Sequence, residues 1–257
     1  MRRRKSSDAM DIISRIFTFW FGENAFGGCC TRREGPKLKT MTMEPAHHSI
    51  TAPVSVNTAK PAALTNETLR EAVPLWHTDR AAATARYGSI GTWDTSGVTE
   101  MRGLFEGHKS FNDCIGDWDV SKVESMRRMF HGATAFNQPL ENWNVCKVKD
   151  CSGMFDGAVS FDKPLGKWDV SRVRNMNGMF AGAASFNQPL QDWVVINVRD
   201  MERMFAGAAA FDHPVEKWDV SEVEHMSGMF DGAETFSQSL KKWHAQRSRT
   251  GKCTGWE

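Results

Sequence analysis

Acidic side chains recur every 25 residues, directly after tryptophans, and are the first candidates for chemistry. The column comprises Asp94, Asp119, Asp169 and Asp219, and Asn144 takes the place of the acid in one repeat. Carboxylate oxygens are the ligands that calcium prefers, but a calcium ion takes about six to eight oxygens. One carboxylate per repeat is too few, and an Asp just before a helix start more simply interacts with free backbone amides and the helix dipole. We therefore predict no metal site and no cofactor.

The nucleophilic and basic side chains do not form a catalytic pattern either. The eight histidines include no HExxH or similar pair, and no serine or cysteine lies in a recognisable nucleophile signature. The six cysteines are too irregularly spaced for a small disulfide-stapled fold. The sequence therefore predicts a protein that is not an enzyme.

Positive charge is concentrated locally, although the 257-residue chain has a formal net charge of only +1. That balance gives no whole-protein field for recruiting nucleic acid or an anionic membrane. The positions flanking a repeated valine nevertheless carry cations in successive repeats, and Glu222 and Glu224 reverse the sign in the last one. We call these cations the basic strip: Lys122, Lys147, Lys149, Arg172, Arg174 and Arg199.

Two interpretations of the basic strip are open. A charge run is usually a solvated face. The alternative is a docking surface for an acidic protein or polyanion, because aligned cations reinforce one another within a Debye length.

The elements that must position these side chains are tandem repeats of 25 residues. Tryptophan recurs without insertion from Trp93 to Trp243, and valine and phenylalanine columns keep the same period. Regular aromatics in register with Val and Met are more often core than a sugar-stacking platform, so we predict that they are buried. Each repeat is then one supersecondary unit that stacks on its neighbours.

Within one unit, Val123, Met126 and Phe130 share a helical stripe. Ser121 stands at the N-cap position and Gly132 at the end. The remainder, FNQPLENW, indicates a turn and a short strand or extended rung. The same spacing also suits the extended segment of leucine-rich repeats. The predicted fold class is an α/β solenoid, leucine-rich-repeat-like, with a helix and a strand or rung in each repeat and a helical N-terminal cap.

The unit W-D-V-S-x-V-x-x-M-x-x-M-F-x-G-A-x-x-F-N-Q-P-L-x-x-W closely resembles the repeat of the DUF285 family, the bacterial surface protein 26-residue repeat or BspA-like leucine-rich-repeat region. The resemblance covers about Trp93 to Trp243. It implies an adhesion or protein-interaction module, with no catalytic residues to carry over. We expect a non-enzymatic scaffold for protein–protein interaction; the alternative is a cell-surface adhesin that binds carbohydrate or extracellular matrix.

The chain is expected to divide into five segments. Residues 1–30 read as a short amphipathic helix or targeting segment, 31–64 as a disordered linker, 65–90 as the helical cap, 91–245 as the repeats and 246–257 as a tail. No apolar run is long enough to cross a membrane. Because the tail lacks an amphipathic pattern, we expect an under-protected end that pairs end to end with another chain.

Two residues depart from the repeat unit, and one further column of polar residues recurs with the same period. Val194 and Ile196 replace the acid and the capping serine, so their unit should be less well capped. A column of Asn and Asp is expected to satisfy turn backbone groups rather than to bind a ligand: Asn112, Asn137, Asp162, Asn187 and Asp212.

Overall fold

The structure is a computed structural model that describes residues 62–250, with side chains up to residue 247. Its elements are α1 (Asn66–Thr78), α2 (Arg80–Tyr87), a 3-10 helix (Ile90–Thr92) and α3 (Lys241–Thr250). The predicted segment 1–30 lies outside the described residues, as does the linker 31–64 except for its last three residues. The tail expected from residue 246 begins inside α3.

The two N-terminal helices pack on the first 25-residue unit. Thr65 begins α1 with a capping box, because its side chain accepts from the Thr68 amide while the Thr68 hydroxyl bonds the Thr65 amide. The apolar face of α1 is buried, and Trp76 meets Trp93 edge-on at 5.8 Å between ring centroids. The Leu64 amide donates to the Asp94 carbonyl at 2.7 Å, which ties the start of the described chain to the first unit.

The predicted α/β solenoid, with a helix and a strand or extended rung in every repeat, is wrong. In the described part of the chain no α-helix lies between residues 93 and 240, and no strand is present. β-Bridge pairing there is limited to isolated parallel bridges of one residue per unit. The bridged residues are Glu100, Ser125, Asp150, Asn175, Asp200 and His225.

The helix fails because one residue in the middle of each unit is left-handed. Positive φ values of 54° to 62° recur at a fixed position, which is arginine twice and glycine four times: Gly103, Arg128, Gly153, Gly178, Arg203 and Gly228. A left-handed residue cannot continue a right-handed helix. The three-residue spacing of Val123, Met126 and Met129 therefore belongs to consecutive turns, in which the Met129 amide donates to the Met126 carbonyl at 3.1 Å.

Backbone hydrogen bonds that a helix would keep within one unit run between units instead. The amides of Met126, Arg128, Phe130 and Gly132 donate to carbonyls 24 residues later, at 2.7 to 2.9 Å. The same four positions repeat this pattern in the units that begin at Met101, Cys151, Met176 and Met201. The result is a ladder of hydrogen bonds that fixes each unit against the next.

The core consists of aromatic columns stacked along this ladder. Phe130 lies 5.6 Å from Phe105 and 5.5 Å from Phe155, with nearly parallel rings. Trp143 is buried, and its indole N–H donates to the Ile115 carbonyl at 3.2 Å. The prediction that the tryptophan and phenylalanine columns are core is confirmed, except that the last unit leaves its two phenyl rings partly exposed.

Candidate interaction surface

The segment that carries the basic strip follows a tight turn. Asp119 accepts the Ser121 amide at 2.9 Å, and Asp169 accepts the Ser171 amide at 3.1 Å. Hydrogen bonds from the serine side chain and amide lower the pKa of Asp119, and those of Ser171 do the same for Asp169. These aspartates therefore accept hydrogen bonds from backbone amides of their own turn, although no helix follows them.

Buried valines force the strip side chains outward. Val148 and Val173 are fully buried, so the residues on either side of each point away from the core. Five of the six predicted strip residues are exposed, and Arg199 is half-buried. The structure thus places the predicted cations on one surface.

A second set of backbone hydrogen bonds between units sets the spacing of three of these cations, Lys149, Arg174 and Arg199. The Arg174 amide donates to the Lys149 carbonyl and the Arg199 amide to the Arg174 carbonyl, both at 2.8 Å. Residues paired in this way lie about 4.8 Å apart. Neighbouring cations therefore fall well inside a Debye length of about 8 Å.

Two strip cations are paired with acids from adjacent units. Lys149 Nζ lies 2.6 Å from Glu124 Oε2, and Arg199 Nη1 lies 2.6 Å from Glu222 Oε2. The other four cations have no ion pair among the described residues: Lys122, Lys147, Arg172 and Arg174. Three of these unpaired cations lie in the two middle units, Lys122 lies in the first unit, and the pairing acids Glu124 and Glu222 stand in the units at the two ends.

An apolar pair interrupts the surface next to the strip. Val194 and Ile196 are 56% and 44% exposed. Val194 has no acceptor for the turn that the aspartates make elsewhere, and Asn197 Nδ2 instead donates to the Ser171 carbonyl of the preceding unit at 2.7 Å. The sequence indicated both departures as a local weakness, but no pattern in it indicated that the two side chains remain exposed.

The column of Asn and Asp residues from Asn112 to Asp212 accepts hydrogen bonds from backbone amides of the turns, as expected. The Asn137 amide donates to Asn112 Oδ1 at 2.9 Å, and the Asp162 amide donates to Asn137 Oδ1 at 3.0 Å. The ladder continues to the last unit, where Asp212 accepts from the Ser237 amide. The prediction of a structural column is confirmed.

Two further features bear on function. No group of three or more histidines, cysteines or acids in residues 62–250 is arranged to hold a metal ion. None of the helices described has the length and apolar composition that a membrane crossing requires.

Comparison with known proteins places the chain in a family without giving it an activity. Residues 77–180 and 161–252 both match the model of a family described as Mycoplasma protein of unknown function, DUF285. The two matches together span more than half of the 257 residues. No curated protein and no solved structure shows significant similarity to the chain.

Proposed function

The chain belongs to the DUF285 family. We propose that it is a non-enzymatic interaction module whose basic strip binds an acidic segment of another protein. The observation that carries the proposal is the set of four exposed cations without an ion pair in three successive units, whose backbones are joined by hydrogen bonds such as that from the Arg174 amide to the Lys149 carbonyl. Backbone bonds that fix the spacing of the units before binding reduce the ordering cost on association.

The apolar pair narrows the chemistry of the partner. Exposed ion pairs contribute only about 0 to 1 kcal/mol each, so charge alone would give weak binding. Val194 and Ile196 offer area that a partner can desolvate beside the cations. The segment bound should therefore carry both carboxylates and an aliphatic or aromatic side chain.

The adhesin alternative has less support. A carbohydrate platform needs exposed aromatic faces, whereas the tryptophans from Trp93 to Trp243 are at most 4% exposed. We therefore propose a protein partner and no carbohydrate ligand.

Peptide display tests the proposed function without knowledge of the natural partner. Selection on the wild type should enrich peptides that combine acids with an apolar residue, and their affinity should fall steeply with salt. A variant that carries glutamate at four strip positions, Lys147, Lys149, Arg172 and Arg174, should bind them at least tenfold more weakly. The matched control carries the same charge change at lysines off the strip and should bind normally: Lys109, Lys163, Lys167 and Lys217. Equal losses in both variants, or enrichment of peptides without acids, would remove the strip from consideration.

A further inference from the structure

The last unit ends in a row of backbone N–H groups that find no acceptor within residues 62–250. In the preceding unit, the amides of Met201, Phe205 and Gly207 donate to the following unit at 2.7 to 2.8 Å. The equivalent amides of the last unit have no acceptor among residues 62–250. We call this row the terminal edge: Met226, Gly228, Phe230 and Gly232.

The terminal edge offers four donors that are unpaired in the described part of the chain, whereas two of its four carbonyls already accept hydrogen bonds. The carbonyls of Gly228 and Phe230 accept from the Asp231 and Ala233 amides within the turns. The carbonyls of the intervening residues, such as Met229, already accept from the preceding unit. Any backbone that pairs with this edge must therefore present carbonyls.

Apolar side chains beside the terminal edge are incompletely covered. Phe230, Phe236 and Leu240 are partly exposed, whereas their counterparts in the preceding unit, Phe205, Phe211 and Val215, are fully buried. The last unit therefore presents two stacked phenyl rings to a partner.

Helix α3 covers part of this end. Trp243 is buried, and Arg247 Nη1 donates to the Val223 carbonyl at 2.8 Å. Gln246 accepts from the Val220 amide at 3.0 Å. The Trp243 ring also stacks on Phe230, at 6.3 Å between ring centroids, yet Phe230, Phe236 and Leu240 stay partly exposed.

The direction of the hydrogen bonds decides what kind of partner fits. Two copies that met terminal edge to terminal edge would oppose N–H groups to N–H groups. The opposite end of the stack, which would supply carbonyls, is covered by α1: Trp76 packs on Trp93, and Arg70 Nη1 donates to the Arg102 carbonyl at 3.3 Å. A second copy would therefore meet either matching N–H groups or the covering helix α1, which favours a different protein as the partner. The end-to-end self-association expected from the sequence stays a prediction.

We propose that the terminal edge binds a segment of a different protein by main-chain pairing, with an apolar side chain of that segment over Phe230 and Phe236. A segment that follows the backbone path of an interior unit presents every second carbonyl to the preceding unit, which matches the alternation of the four amides. The edge does not involve the basic strip, so the two proposals stand independently.

An interior unit of the chain shows what a bound segment would look like. Asp200, Glu202, Met204 and Ala206 present carbonyls to amides of the preceding unit. In the same segment, Phe205 and Phe211 stack on rings of that unit at 5.5 and 6.0 Å. A synthetic peptide of residues 199–212 is therefore a probe with the required carbonyls and rings.

The test measures fluorescence anisotropy of the labelled peptide with the full-length protein. Saturable one-to-one binding is expected, and Phe236→Asp should weaken it at least tenfold. Val159→Asp is the matched control, because Val159 is 44% exposed and lies off the terminal edge; it should bind as the wild type does. A peptide that carries Phe205→Asp and Phe211→Asp should fail to bind the unaltered protein, which keeps the test valid if the protein variant misfolds.

Three results would overturn the proposal. One is the absence of saturable binding. Another is binding that appears only after deletion of residues 251–257, which would mean that the chain covers its own edge. The third is a dimer in sedimentation velocity that Phe236→Asp dissociates, which would restore self-association.

Discussion

The left-handed position in each unit gives a test in which turn and helix predict opposite signs. The perturbations are Gly178→Ala and Arg203→Gly, at residues with φ of 57° and 54°. A β-carbon on Gly178 would meet only Ala181 Cβ at 3.8 Å, an ordinary contact. The substitution therefore isolates the backbone conformation from any clash.

The magnitude follows from two opposing effects. A residue with a β-carbon in the left-handed region costs about 1 to 2 kcal/mol, and replacing glycine recovers about 0.5 to 1 kcal/mol of unfolded-chain entropy. Gly178→Ala should therefore lower the free energy of unfolding by about 1 kcal/mol, and Arg203→Gly should raise it by up to about 1 kcal/mol. In a helix the same changes would have the reverse signs, with glycine about 1 kcal/mol less favourable than alanine.

Denaturant titration followed by tryptophan fluorescence measures both variants. Arg127→Gly is the control, because this exposed arginine lies outside the left-handed positions; it should destabilise by about 0.5 to 1 kcal/mol. A stabilised Gly178→Ala together with a destabilised Arg203→Gly would refute the turn geometry.

Further predictions concern buried groups. Trp168→Phe should cost about 2 to 4 kcal/mol in denaturant titration, because it strands a buried carbonyl of the neighbouring unit and loses packing. Burial raises the pKa of the Cys151 thiol, so mass-spectrometric mapping after alkylation should find it modified only in unfolded protein, whereas the half-buried Cys146 reacts in the folded state. Burial lowers the pKa of both His77 and His108, whose ring centroids lie 3.7 Å apart in a stack. Because the folded-state pKa values lie below the unfolded value of about 6.5, the free energy of unfolding should decrease as the pH falls below that value. Replacing both histidines with glutamine should make the melting temperature less dependent on pH over that range.

The register and the core of this protein can be predicted from its sequence. Burial and ring stacking follow from a strict period, because residues 25 apart occupy equivalent places whatever the path between them. The period therefore predicted correctly that Trp143 and Phe130 are buried and that Asn112 belongs to a column of structural hydrogen bonds.

The local backbone could not be obtained in the same way, because three-residue spacing suits consecutive turns as well as a helix. A signal was nevertheless present. Glycine stands in the middle of the proposed helix at positions 103, 153, 178 and 228. Arginine occupies the same position at 128 and 203, so the column does not read as a glycine column. Helix α3 was missed because its buried positions include Arg247, a cation that interrupts the apolar pattern.

The candidate surface was predictable in part. Alternation about buried valines puts the cations outside, so exposure of Lys147 and Arg172 follows from the pattern. The pairing of Lys149 with Glu124 requires side-chain geometry across units. The terminal edge depends on where α3 lies, and no sequence pattern indicated that.

Scalar couplings across hydrogen bonds measure most directly whether backbone pairing joins consecutive units. In uniformly labelled, deuterated protein, the Gly178 nitrogen should couple to the Glu202 carbonyl carbon, and the Phe180 nitrogen to that of Met204, because those N–H groups donate at 2.8 Å. Couplings from these nitrogens to carbonyls four residues earlier in the chain would instead establish a helix and contradict the stack.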